Sequence, residues 1–190
     1  HNVAGRAARE LLSLLSVRAS LAALCSVLGR CGREGRALQV ASWLGLVRTE
    51  RGMTLENGAA SAAKVLRKLG QRVLTVESTT GGLIGASLLA CPGASRFFIS
   101  SCVVYSGRGY RNFLPAPILE SSGVLERESN YANRENYIAS KVKFVNDVAL
   151  QMRQENDWIV VESGTTGPEF YIPGVTQAFT AVAVYGPRDP

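Results

Sequence analysis

The chain has one histidine, and it is the first residue. With no other imidazole in 190 residues, a Ser-His-Asp triad, a Cys-His dyad and a multi-histidine metal site are excluded from the interior. Cysteine is scarce: Cys25, Cys31, Cys91 and Cys102 show no C-x-x-C spacing. They read as small buried hydrophobes or free thiols, and no metal is expected. No apolar run reaches the ~18–20 residues that a membrane-crossing helix needs, so no membrane partner is expected. Lysine is confined to Lys64, Lys68, Lys141 and Lys143, all on predicted helices and away from the loops that carry the motifs below. Trp43 and Trp158 have no aromatic neighbours that would make a base-stacking platform.

Acid is what the first 52 residues lack. Eight arginines and three glutamates give that stretch +5 of the chain's formal +6. Leu11, Leu14, Leu15, Val17, Leu21, Leu24 and Leu28 recur there at near-helical spacing. Such Arg-rich, Lys-free sequence is the composition of an organellar transit peptide, and equally of an amphipathic or helical extension. The first reading expects a mitochondrial or plastid protein, the second a cytoplasmic one. As a leader, residues 1–52 are expected to be dispensable to a domain over 53–190; as a folded extension they would be structural. That domain is nearly neutral, so a nucleic-acid partner is not expected.

From Met53 onward the apolar pattern alternates between two periods. Thr54 reads as the N-cap of a helix carrying Leu55, Ala59, Ala62, Leu66 and Leu69, which Gly70 ends. A strand follows at 72–77, then a helix at 81–90 and a turn at Pro92-Gly93-Ala94-Ser95. The next strand, Phe97 to Tyr105, is apolar on both alternating faces, as expected of an interior strand. Residues 106–130, rich in Gly and Pro, read as loop with short helical turns. Ile138, Val142, Val145, Ala149 and Met152 define a long amphipathic helix over 131–153. Trp158 to Val161 and Phe179 to Tyr185 are the remaining strands. Helices alternating with buried strands predict an α/β fold, in which ligands collect where loops leave the carboxyl ends of strands.

Two loops stand at such ends. Glu77-Ser78-Thr79-Thr80-Gly81-Gly82 turns a strand into a helix and presents hydroxyls and N–H groups at the helix start. That geometry suits an anion, a serine nucleophile or an ordinary N-cap. Gly164-Thr165-Thr166-Gly167-Pro168 follows the third strand, and the two loops are expected to form one anion site. Between them lie Pro92-Gly93-Ala94-Ser95-Arg96-Phe97-Phe98 and Val103-Val104-Tyr105-Ser106.

This ordered series resembles the C-terminal domain of the competence/damage-inducible CinA family. Its members read A-E-S-C-T-G-G, P-G-S-S-x-x-F, V-x-Y-S-N-x-x-K and G-I-A-G-P in the same order, and the resemblance spans about residues 54–185. It implies a layered helix/sheet/helix domain. It also implies an amidohydrolase that converts nicotinamide mononucleotide to nicotinate mononucleotide and ammonia without metal or cofactor. Ser78 would be the nucleophile, with N–H groups opening the 81–90 helix as the oxyanion hole. Glu77, Thr79, Thr80, Gly81, Gly82, Ser95, Tyr105, Ser106, Gly164, Thr165, Thr166 and Gly167 would line the substrate. A small nucleotide-like molecule is the expected partner, and a homo-oligomer is compatible with the chain.

The sequence departs from the family at the lysine closing the third motif, which the resemblance implies as general base. Here that position is Tyr110, in Gly107-Arg108-Gly109-Tyr110-Arg111. Arg108 and Arg111 effectively never deprotonate and cannot replace the amine. Two readings stay open. In one, the flanking arginines lower the Tyr110 pKa and the phenolate serves as base to Ser78. In the other the dyad is lost, and the pocket only binds a nucleotide-like ligand whose phosphate Arg108 and Arg111 grip. The loop after the second Gly/Thr motif also lacks the family's Lys-Pro-Val-Gly. The sequence ends at Pro190, before the final helix and substrate-binding arginine that the resemblance implies.

Overall fold

A computed structural model describes residues 38–43, 55–155, 157–165, 172–175 and 179–187. Helix α1 (Leu55–Leu69) forms where small residues share one stripe: Ala59, Ala62, Ala63 and Leu66 are all fully buried. Gly70 ends it at φ 65°, a left-handed conformation that only glycine adopts freely. Thr54, its expected N-cap, lies outside the described residues.

The strands are β1 (Leu38–Trp43), β2 (Arg72–Glu77), β3 (Phe98–Val103), β4 (Asp157–Thr165) and β5 (Phe179–Tyr185), joined in one sheet in the order β1-β5-β4-β2-β3. β2 pairs in parallel with β3 and β4, while β5 is antiparallel to β4 and to β1. Between them run α2 (Leu83–Leu89), α3 (Gly107–Phe113), α4 (Ala116–Ser122), α5 (Arg127–Asn130) and α6 (Arg134–Met152).

Successive residues of a strand point to opposite faces, so each strand feeds two cores. Val73, Trp158, Val160, Val182 and Val184 pack with α1 and α2. Leu74, Val76, Ile159, Val161, Ala181 and Ala183 pack with α6. β4 and β5 are buried along their whole length, and the result is the helix/sheet/helix sandwich expected for an α/β fold.

Three expectations change. β3, read as interior, is an edge strand among the described residues, with Ile99 40% and Val103 44% exposed. Its apolar alternation is the same for an edge and an interior strand, so the pattern carries no information on which it is. Gly164 and Thr165, read as loop, are the last rungs of β4 and pair with Thr180 and Phe179. Leu38–Trp43, inside the stretch read as a dispensable leader, pairs with β5 over six residues, so a start at Gly52 would remove a strand and uncover the β5 edge. The remainder of 1–52, on which the transit-peptide expectation falls, lies outside the described residues.

Candidate active site

Because β2 and β4 are parallel neighbours, the loops after Glu77 and Thr165 leave the same end of the sheet. At the first, the chain turns sharply through Gly81 and Gly82, both left-handed, the second at φ 95° as it caps α2. The N–H groups of this turn were expected to hold an external anion. The protein holds them itself. Glu162, fully buried in β4, accepts from the N–H groups of Ser78 and Thr80, both at 3.1 Å. It also accepts from the hydroxyls of Thr79, Thr80 and Thr180. Glu77, equally buried, accepts from the N–H groups of Ile84 at 3.0 Å and Gly85 at 2.7 Å, so a carboxylate already occupies the positive end of α2. The Thr80 hydroxyl stands between the two acids, 2.7 Å from one and 2.9 Å from the other. The N–H groups of Thr79 and Gly82 carry no such bond among the described residues, and they are the donors left for an oxyanion.

Ser78 itself is 5% exposed and lies on the α6 side of the sheet with the Tyr110 phenol. Tyr110 projects inward from α3, and its ring packs on Phe144 of α6 at 5.3 Å between centroids. Burial pushes its pKa up, and hydrogen bonding to Ser78 offsets that only in part. The phenolate reading is therefore corrected: no arginine acts on this hydroxyl, because Arg108 and Arg111 lie on the exposed face of α3. Tyr110 is a neutral phenol.

The lysine expectation is corrected too. Lys141 is not remote: it lies on the inner stripe of α6, 8% exposed, with its amine 5.2 Å from the Tyr137 ring centroid. Burial lowers its pKa to about 8, and the Glu162 charge opposes the shift. Ser163, next to Glu162 on β4, faces α6 as Val161 does. Its fully buried Oγ lies near the Tyr110 phenol but has no partner of good hydrogen-bond geometry.

Other expected site residues fall elsewhere. Ser95 is exposed in a 3-10 turn just before β3, at the end of the sheet opposite Ser78, since β3 runs parallel to β2. Ser106 caps α3, its hydroxyl accepting from the Gly109 N–H at 3.2 Å. Tyr105 is 74% exposed where β3 ends, at the site end of the sheet. Thr165 ends β4, where Tyr137 reaches its hydroxyl. Thr166 and Gly167 lie outside the described residues. No cluster of three His, Cys, Asp or Glu side chains that could hold a metal occurs among the described residues.

Gly164 is required by packing. A Cβ there would sit 2.2 Å from the Phe179 carbonyl oxygen and 2.8 Å from the Thr180 Cα, both backbone atoms. β5 cannot give way without losing its ladder to β4. Gly164→Ala is therefore expected to destabilise by about 1–3 kcal/mol, read as a lower urea midpoint at unchanged slope.

The CinA C-terminal domain model matches residues 55–187. A CinA-like protein of Synechococcus sp. (strain CC9902) is 31% identical over 112 residues, covering 58% of this chain and 24% of that protein. One from Prochlorococcus marinus (strain MIT 9313) is 27% identical over 133 residues, covering 70% and 28%. The chain thus spans about a quarter of the length of these relatives. In three dimensions it is similar to a competence or damage-inducible protein from Enterobacter asburiae, with TM-score 0.52, 24% identity, and 70% and 77% of the two chains covered. A CinA superfamily protein from Escherichia coli gives TM-score 0.50, 23% identity, and 72% and 80% coverage. Those two likenesses concern the fold. With the family model matching most of its length, this chain belongs to the CinA C-terminal domain family.

Proposed function

We propose that this domain hydrolyses the carboxamide of a nicotinamide nucleotide, first of all nicotinamide mononucleotide, through Ser78. One observation above all supports the reading. Ser78 lies near the Tyr110 phenol, at a turn whose backbone Glu162 pins at Ser78 and Thr80. Ser78 Oγ would add to the carboxamide carbon while its proton passes to a base. The C–N bond then breaks, and nitrogen leaves as ammonia carrying that proton. Water hydrolyses the resulting ester, releasing the carboxylate and restoring Ser78. The N–H groups of Thr79 and Gly82 are the donors for the oxyanion, and the neutral phenol orients the Ser78 oxygen.

Electrostatics fit the substrate class. A nicotinamide bonded to ribose is a pyridinium cation, and two buried carboxylates, Glu77 and Glu162, flank the turn against one buried lysine. A second reading, a ligand-binding domain without turnover, is favoured by the phenol standing at position 110 in place of an amine. Ammonia release from nicotinamide mononucleotide separates the two: the amidase reading expects steady release, the binding reading none. Tyr110→Phe should slow release at least about fivefold, the worth of one neutral hydrogen bond of ~1 kcal/mol.

A further inference from the structure

Lys141 is a largely buried cation whose recorded contact is the face of the Tyr137 ring. Its amine makes no hydrogen bond or ion pair with any described residue, although the side chain is 8% exposed. Lys143, two residues on, shows the contrast: it is half exposed and bonded to Asp147 at 2.7 Å. A solvated lysine needs no explanation, but one largely buried without a hydrogen bond costs stability, and a role in the site is a reason to retain it.

The inner stripe of α6 places this amine. Tyr137, one turn before it, reaches Thr165 at the end of β4, and Phe144, one turn after it, packs on Tyr110. Lys141 therefore sits between the two α6 residues that bracket Tyr110. Ser163, whose Oγ is also without a partner, faces the same helix. Among the described residues the ionisable groups acting on Lys141 are Glu162 on β4 and Tyr137 on α6, and Tyr137 in turn lies near Tyr110 on α3. Glu120, Glu126, Arg127 and Glu128, on or beside α4 and α5, are all exposed. Among the described residues the site end of β5 contributes Phe179 and the Thr180 hydroxyl, and that hydroxyl is bonded to Glu162.

We propose that Lys141, entering from α6, is the proton acceptor of this site, taking the Tyr110 phenol proton as the phenol oxygen receives the proton of Ser78. Proton count is conserved: Ser78 becomes the alkoxide that attacks, Tyr110 ends neutral, and the amine becomes ammonium. On departure of the leaving group the same relay runs backward. A lysine would thus reach the serine from a different element than the one carrying the motif. The inference rests on Ser78 being the nucleophile, as proposed above.

The test uses the full chain and phenylmethylsulfonyl fluoride, which reports serine nucleophilicity without the amide substrate. Labelling of Ser78, followed by peptide mass, should rise with pH through a midpoint near 8 in the wild type. Lys141→Arg keeps the charge opposite Glu162 but cannot accept a proton, so it should slow labelling at pH 8.5 by about 10²-fold and remove the midpoint. Lys141→Met should do the same. A Lys141→Arg chain that labels at the wild-type rate with the wild-type profile would reduce Lys141 to a counter-ion and overturn the proposal. So would a wild-type Ser78 that stays unlabelled at every pH. Lysine-dependent labelling without ammonia release from nicotinamide mononucleotide would instead remove the substrate reading and leave the relay standing.

Discussion

Glu162→Ala is expected to cost about 3–5 kcal/mol of stability, the range for breaking a buried charged cluster by removing one member. Five donors end on this carboxylate: the N–H groups of Ser78 and Thr80 and the hydroxyls of Thr79, Thr80 and Thr180. The substitution leaves the buried N–H groups of Ser78 and Thr80 and the Thr180 hydroxyl without this acceptor, and it removes the carboxylate charge that acts on Lys141. A domain of this size is stable by about 5–15 kcal/mol, so a large share of the margin goes. Urea unfolding followed by tryptophan fluorescence checks it through Trp158, buried in β4. Glu162→Gln keeps the shape and one acceptor oxygen, and should fall between the two. A midpoint within experimental error of wild type for Glu162→Ala would mean that the turn is held by something else.

Ser78→Ala is expected to lower ammonia release by about 10⁴-fold or more while leaving the fold intact. Losing a nucleophile leaves only binding and electrostatic catalysis, a small residue of the full acceleration. The fold survives because the Ser78 contact to Glu162 runs through the backbone N–H, which alanine keeps. Affinity for the nucleotide should change by no more than a few-fold, since Ser78 acts on the carboxamide carbon alone. Equal loss of binding and turnover would point to a collapsed pocket.

Much of the fold was legible because it depends on periodicity. The apolar runs of β2, β4 and β5 and the spacing of Ile138, Val142 and Val145 follow from burial against helices on two faces. The site was legible only where one segment carries it, as in Glu77 to Gly82. Ser95 was misplaced because a turn before a parallel strand and a loop after one lie at opposite ends of a sheet. Lys141 and Glu162 were missed although both left a signal. Lys141 falls three and four residues before the buried Phe144 and Val145, a stripe where a lysine is out of place. Glu162 interrupts the run Trp158-Ile159-Val160-Val161 with a charge in a strand buried throughout. The approach of Glu162 to the Ser78 turn is a tertiary fact that no local pattern encodes.

The claim that amide hydrolysis runs through Ser78 is tested most directly by capturing the ester. Wild-type protein mixed with nicotinamide mononucleotide and quenched in acid within milliseconds should yield a peptide spanning Ser78 heavier by the nicotinate mononucleotide acyl group, with one ammonia released per acyl formed. Ammonia released at the wild-type rate by Ser78→Ala, with no acyl group on the wild-type peptide, would contradict it.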